Sequence, residues 1–408
     1  MKFLQNNKTT LIISLLGVYL FVSGISWAVF SYMKSDTTPA QVAQNVSDNR
    51  AKIDPDLPKT EECPMNGKMF SKPEREIWET RRPMTVSVEN NVDARPQSGL
   101  SSADIVYEVV AEGGITRFLS VFYCGASAKD TKIAPIRSAR VYLVNWAAEY
   151  GKNPIFVHVG GANNICNGDE CPANGQKPKG DIDPTVDAFK LLDTLGWRGA
   201  KGNDFDGGTN VGYPAVVRDQ YRLGSKSAWE HSVVGSSDKL FDEAKSRGFG
   251  AKGDDGKAWD TTFVPWKFKD EAAVATSTTN DISFEFWKGQ TDYNVSWKYD
   301  KSQNAYLRTN GGKEHIDHET GKQIAVKNVV VMQVEEKGPV DKEKHMFYTT
   351  IGKGNALIFQ NGDVIKGTWE KKTQLDRTKF MDSNGKEVAF VRGQIWIDAI
   401  PKGNEVKY

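Results

Sequence analysis

The sequence predicts an α/β domain followed by a mostly antiparallel β-rich domain, with one transmembrane helix in front of both. Three observations carry this reading. Residues 11–33 are 23 consecutive uncharged, mostly apolar residues. Between 84 and 250, stretches of alternating apolar and polar residues are interleaved with stretches of helical spacing. From about Asp260 the period becomes two and stays two. Eleven Trp and nineteen Phe suit β-rich structure with large aromatic cores. The expected organisation is an N-terminal stub and anchor over 1–33, a flexible linker over 34–62, an α/β domain over 63–255 and a β-rich domain over 256–408.

At about 1.5 Å per residue, the 11–33 stretch is roughly 34 Å long as a helix, enough to cross a hydrocarbon core. Lys2 and Lys8 precede it, which places the N-terminus in the cytoplasm and the body outside. A cleaved signal peptide stays open as the alternative, because Ser26-Trp27-Ala28 resembles a small-x-small cleavage site. Both readings export the body. Residues 34–62 lack aromatic residues and are rich in Ser, Thr, Pro, Asp and Lys, the composition of a linker.

Charge excludes some functions. Lys+Arg 53 against Asp+Glu 52 leaves +1, where a dedicated nucleic-acid binder carries a basic excess. A mean hydropathy of −0.51 excludes a polytopic membrane protein. The membrane is therefore a partner through a single anchor only, and no nucleic-acid partner is expected. Cysteine usage fits export. Cys166 and Cys171 bracket a short polar loop, where a local disulfide suits an oxidising compartment, with free thiols and a metal as alternatives. Cys63 and Cys124 are then the leftover pair. The Cys-x4-Cys spacing without a second close pair is poor for zinc, and no metal site is expected.

Along the chain, 84–88 alternates as a strand, 103–111 and 117–124 follow as strands around the Gly113-Gly114 turn, and 154–159 is a buried-looking strand. Helices are expected from Ser138 to Tyr150, from Asp183-Pro184 through Leu195, and from Ser236-Ser237 to about Gly248. Nine strands are expected after 260, over 263–268, 282–287, 293–299, 326–335, 345–350, 355–360, 363–369, 387–392 and 394–399. Asn361-Gly362 between two of them signals a tight hairpin.

The candidate chemistry gathers on the first domain. Glu108, Glu112, Thr116 and Arg117 fall around one turn, and Arg137, Ser138 and Arg140 fall at a helix entry. Unpaired N–H groups there, together with guanidinium forks, make an anion site, while the same residues also read as a structural salt-bridge network. Glu108 and Glu112 could instead hold a cation or move protons. His158 ends a strand beside two glycines, more in the manner of a satisfied core histidine. Arg218 and His231 could line the same cleft. The pair His231-Ser232 lacks a Gly-x-Ser-x-Gly elbow, so Ser232 is a poor nucleophile. His315, Asp317, His318 and Glu319 have metal-ligand chemistry without metal-ligand spacing and read as a polar hairpin end. Asp204-Phe205-Asp206-Gly207-Gly208 begins like a calcium loop and lacks its later ligands. No Walker loop or dinucleotide fingerprint appears, and the sequence names no cofactor.

Several motifs together resemble a known family. They are Arg82-Pro83-Met84, Asn90-Asn91, the run from Ala94 to Leu100, Ala103 to Glu108, Glu112 to Arg117 and Pro135 to Arg140. The C-terminal part adds His315-Ile316-Asp317, Asn328 to Val331 and Gly352 to Trp369. These are similar to the YerB-like family of bacterial lipoproteins, which carry a two-part domain of uncharacterised function. The resemblance covers roughly 81–401. It implies a membrane-tethered extracytoplasmic protein with an α/β sandwich domain and a β-rich partner domain, and it implies no activity. Two features depart from the family. A lipobox cysteine is absent, so the anchor would be the helix itself, and residues 162–182 look like an insertion. Glu230-His231-Ser232 stands where the family has Pro-His, which weakens transfer of any role to that histidine. A weaker likeness, in layout only, is to the LytR-CpsA-Psr phosphotransferases, whose motif does not match.

The favoured function is a tethered envelope protein holding an anionic ligand, a cell-wall fragment or a phosphorylated molecule, in an arginine-lined cleft. An envelope enzyme acting on wall polymer or lipid-phosphate precursor, and a purely structural partner, are the alternatives. The sequence does not address oligomeric state.

Overall fold

The computed structural model describes residues 53–166, 171–172, 175–178, 180–273 and 276–408. The expected anchor and residues 34–52 of the expected linker lie outside them. Among the described residues, no helix is long and apolar enough to cross a membrane.

Ile53–Tyr408 forms one compact unit around a ten-stranded mixed sheet. Its strands in chain order are β1 (Met84–Glu89), β2 (Ile105–Glu112), β3 (Ile115–Phe122), β4 (Ile155–His158), β5 (Asp204–Asp206), β6 (Asn328–Val334), β7 (Gly352–Gln360), β8 (Asp363–Lys371), β9 (Lys379–Asp382) and β10 (Ile395–Pro401). Their spatial order is β9-β8-β7-β6-β10-β2-β3-β1-β4-β5. Strands from both sides of residue 255 thus share one sheet. The junction is β10, parallel to β6 on one side and to β2 on the other. This departs from the antiparallel pattern expected for the last third, and β1, β4 and β5 are also mutually parallel. The reason is burial. All seven residues of β10 and all six of β1 are buried, and a strand covered on both faces accepts parallel neighbours.

Among the described residues, α-helices are few and short, so this part of the fold is more β-rich than expected. They are α1 (Lys72–Trp78), α2 (Val141–Ala147), α3 (Ala188–Thr194) and α4 (Ser237–Ser246). The sequence signals overstate α2 and α3 because Arg140 and Asp187, rather than Ser138 and Asp183, are the residues that turn into helix. In α2 six of seven residues are buried, so tertiary packing holds it rather than an amphipathic face. In α4 the expected cap is present, with the Ser236 side chain accepting from Lys239 N, and Leu240, Phe241 and Ala244 face inward. The end of the expected linker is ordered: Lys59–Glu62 pairs with Met69–Ser71.

A second sheet runs Lys313–Glu314, Ala305–Asn310, Val295–Asp300, Asp281–Phe284 and Val406–Lys407, with Ala325–Val326 also on the 305–310 strand. The 305–310 strand has no counterpart in the sequence reading. Trp297 of this sheet meets Trp396 of β10 edge-on at 5.5 Å between ring centroids, which joins the two layers. The Asn361-Gly362 hairpin forms as expected, both residues having positive φ.

Candidate anion site

Three parallel strands, β1, β4 and β5, end at Glu89, His158 and Asp206, on the same side of the sheet. Segment 136–140 threads across these carboxyl ends. Arg137 N donates to Ser87 O (2.9 Å), Val159 N to Arg137 O (3.1 Å) and Ala139 N to Gly160 O (2.9 Å). The bonds explain why Arg137, Ser138 and Arg140 lie just beyond the sheet, the place where open α/β sheets bind ligands. Gly160 has φ +65, a conformation that suits glycine at this tight crossing.

The charges form a strip. Glu89 accepts from His231 Nδ1 (2.8 Å) and lies 3.1 Å from Arg137 Nε. Arg117 is opposite Glu89 in register on β3 and donates to Ser138 O (3.1 Å) and to Glu112 Oε1 (2.8 Å). Arg140 donates to Glu112 Oε2 (2.5 Å) and to Ala139 O (2.8 Å). Glu112 therefore serves two guanidinium groups. Burial works to raise its pKa, but Arg117 and then Arg140 outweigh that and hold it well below the usual carboxylate range. A carboxylate so placed keeps its charge and is a poor proton carrier at neutral pH. His345, paired with Asp341 (2.9 Å), extends the strip, and burial followed by Arg140 lowers its pKa.

The expectation of three arginines facing an open cleft needs correction. The side chains of Arg117 and Arg140 are 2% and 7% exposed and are neutralised within the fold, whereas Arg137 is 29% exposed. Arg218 is exposed, stacks on Trp229 at 4.2 Å, and donates to Trp229 O (2.7 Å). No carboxylate among the described residues pairs with it. Desolvation and then the neighbouring Arg137 lower its pKa. Ser138 contributes carbonyl contacts to Ser87 and Arg117.

Glu108 and Thr116 belong elsewhere. The register of β2 against β3 shifts between Val110 and Glu112, so regular alternation does not carry Glu108 to the Glu112 side, and Glu108 turns into the interior, where it pairs with Arg308, both fully buried. Thr116 Oγ1 donates to Glu108 (2.7 Å) and accepts from Asn90 (2.7 Å). Asp398 lies opposite Glu108 in register and accepts from Trp297 Nε1 and Trp396 Nε1, each at 3.1 Å. Arg308 lies 4.7 Å from the Trp396 ring and contacts His315, which also bonds Gln97 (2.8 Å). The sequence reading missed Arg308 and Asp398, for a lone charge in an alternating strand carries no local signal of its partner 200 residues away.

The remaining candidates resolve simply. His158 is buried with both ring nitrogens engaged, by Asp204 and by Gly160 O (2.7 Å). Burial opposes its protonation, but Asp204 outweighs burial and the pKa is raised. Ser232 Oγ donates to Trp229 O (2.6 Å) while His231 turns to Glu89, so they form no nucleophile–base pair. Asp317 accepts from Gly99 N and Ser101 N and opens a small hairpin, so residues 315–319 do not converge on a metal. Both disulfides form, Cys166–Cys171 and Cys63–Cys124. Beside the second, the Asp104 carboxyl accepts from Tyr123 N, Cys124 N and Gly125 N, and burial, opposed by those bonds, pushes its pKa up to about 7. Cys63, Asp104 and Cys124 cluster as metal ligands would, but the two sulfurs are bonded to each other.

This mixed β fold, with a motif-bearing strip at its strand ends, places the chain in the YerB-like family of uncharacterised function, and it belongs there. Residues 71–170 match the family model described as protein of unknown function (DUF3048) N-terminal domain, and 282–397 match the corresponding C-terminal domain. A curated relative, named "Putative lipoprotein YerB", is from Bacillus subtilis (strain 168). It is 29% identical over 347 residues, covering 85% of this chain and 88% of that protein. The crystal structure of the Bacillus subtilis YerB protein superposes with a TM-score of 0.64 at 27% identity, covering 86% of this chain and all of that one.

Proposed function

We propose that this protein is tethered outside the cytoplasmic membrane and holds an anionic envelope ligand at the Arg137–Arg218 end of the strip. The observation that carries the reading is the like-charge pair itself. Arg218 is exposed, fixed by Trp229 and unmatched by any described carboxylate, and desolvation followed by the Arg137 charge lowers its pKa. Four guanidiniums, of Arg117, Arg137, Arg140 and Arg218, stand against three carboxylates, of Glu89, Glu112 and, within reach of the Arg137 charge, Glu230. An anion bridging the outer two relieves that repulsion with charge-assisted bonds. Arg117, Glu112 and Arg140 act behind them as a rigid, internally paired base that keeps one net positive charge. The uncharged 11–33 stretch, two disulfides in the body and the lipoprotein name of the Bacillus subtilis relative support the tethered location.

The test uses the full chain in a zwitterionic detergent, with melting temperature followed against glycerol phosphate oligomers, muropeptides and sulfate. At least one anion raises the melting temperature, and Arg137→Ala combined with Arg218→Ala removes that rise. A rise that survives the double substitution refutes the assignment.

A further inference from the structure

We propose a second and separate anion site, in a cavity at the opposite end of β1, whose ligand is a small phosphorylated molecule. The cavity has a volume of about 310 Å³, near the lower bound of roughly 300 Å³ for small-molecule pockets. Arg82 lies two residues before the first residue of β1 and Glu89 ends it, so roughly 20 Å of extended chain separates this cavity from the Arg137 strip. The inference therefore stands independently of the preceding one.

Its lining is strongly cationic. Arg82, Lys152, Lys201, Arg247 and Lys257 face two carboxylates, Asp254 and Asp255, an excess of three positive charges along the wall. Lys152 is paired with Asp255, and Arg247 with Glu243 outside the cavity (2.7 Å). Lys201 and Lys257 are exposed and form no ion pair among the described residues. Two glycines, Gly248 and Gly253, keep the wall free of side chains.

Arg82 is the decisive residue. It is 2% exposed, and its hydrogen bonds run to the backbone carbonyls of Gly250 (2.9 Å), Lys152 (3.1 Å) and Asn153 (3.0 Å), with no carboxylate in contact. Its Nη2 lies beside Gly253 and makes no hydrogen bond among the described residues, and Arg82 lines the cavity. Burial lowers its pKa to about 10, with Asp255 and Asp254 opposing. The backbone thus fixes a charged fork with one arm left for a ligand oxygen. Phosphate fits better than a single carboxylate because a phosphate monoester brings roughly −1.5 to −2 charges and three acceptor oxygens to a wall carrying this excess.

The shared chemistry is a phosphate monoester, free or on a lipid headgroup. Full chain in zwitterionic detergent is titrated calorimetrically with pyrophosphate, glucose 1-phosphate and dihexanoyl phosphatidic acid. The second probe represents the free ester and the third the headgroup. We expect at least one to bind, and Lys201→Glu with Lys257→Glu to weaken it by roughly tenfold or more. Both substitutions are at exposed positions, so the unliganded melting temperature stays put. Arg82→Lys keeps the charge and loses the fork, and weakens binding as well. Arg137→Ala with Arg218→Ala leaves this binding intact. Absence of binding by all three probes at about 1 mM, or equal binding to the Lys201/Lys257 variant, overturns the proposal. Loss in the Arg137/Arg218 variant alone also overturns it, and assigns the ligand to the first site.

Discussion

Replacing Asp398 by asparagine tests whether the heart of the sheet stores a proton. Asp398 is fully buried beside Glu108, under Trp297 and Trp396. Burial raises its pKa well above the usual 3.8, the Glu108 charge raises it further, and Arg308 opposes both. The folded protein therefore keeps a proton that the unfolded chain releases above about pH 4. With more protons bound when folded, stability falls as pH rises from that point toward the raised value. The slope is about 1.4 kcal/mol per pH unit over the interval between the unfolded and the raised value. Asparagine has no proton to release, so Asp398→Asn abolishes this slope. It also exchanges one indole acceptor for an amide donor, a pH-independent cost of about 1–2 kcal/mol. Other titrating groups, Asp104 and His158 among them, are common to both proteins and cancel in the difference. The assay is urea unfolding of both proteins at several pH values. Wild type should be the more stable at pH 5 and should lose that lead progressively as pH rises. Parallel stability curves would show an ionised Asp398 and refute the reasoning.

Three further outcomes follow from named contacts. Glu112→Gln leaves the guanidiniums of Arg117 and Arg140 without a counter-charge; discounted for the partial exposure of Glu112, the cost is about 2–3 kcal/mol, or roughly 3–4 °C in melting temperature. Calorimetry that shows no shift would mean water compensates both arginines. Replacing Cys63 and Cys124 by serine opens a loop of sequence separation 61, for a loss of about 4 kcal/mol by chain entropy, measurable as a lower urea midpoint. Gly125→Ala would put a Cβ 2.2 Å from Ser102 O, displacing the turn whose amide binds Asp104; a melting temperature equal to wild type would contradict that packing.

How much of this was readable in the sequence depends on the range of the interaction. The central strands and the Asn361-Gly362 hairpin were readable, because alternation and turn chemistry act within a few residues. The Arg137, Ser138 and Arg140 cluster was readable as a charged group at a strand–helix junction. Its neutralisation by Glu112 was not, since the pairing needs β2 and segment 136–140 brought side by side. Glu108 and Glu112 looked equivalent in the sequence, yet one turns into the tryptophan-lined interior and the other to the rim. Arg82 read only as part of the Arg82-Pro83-Met84 family motif, and its role as a cavity wall depends on Gly250 and Gly253 folding over it.

By itself, the sequence determined the family, the strands on either side of the Gly113-Gly114 turn and the Asn361-Gly362 hairpin, since these rest on period, turn residues and contiguous motifs. Tertiary structure alone decided that β10 inserts between β6 and β2 to fuse both halves into one sheet, and which charges are spent internally. The physical reason is that desolvation and counter-charge depend on what is packed around a side chain, and that surrounding comes from distant parts of the chain.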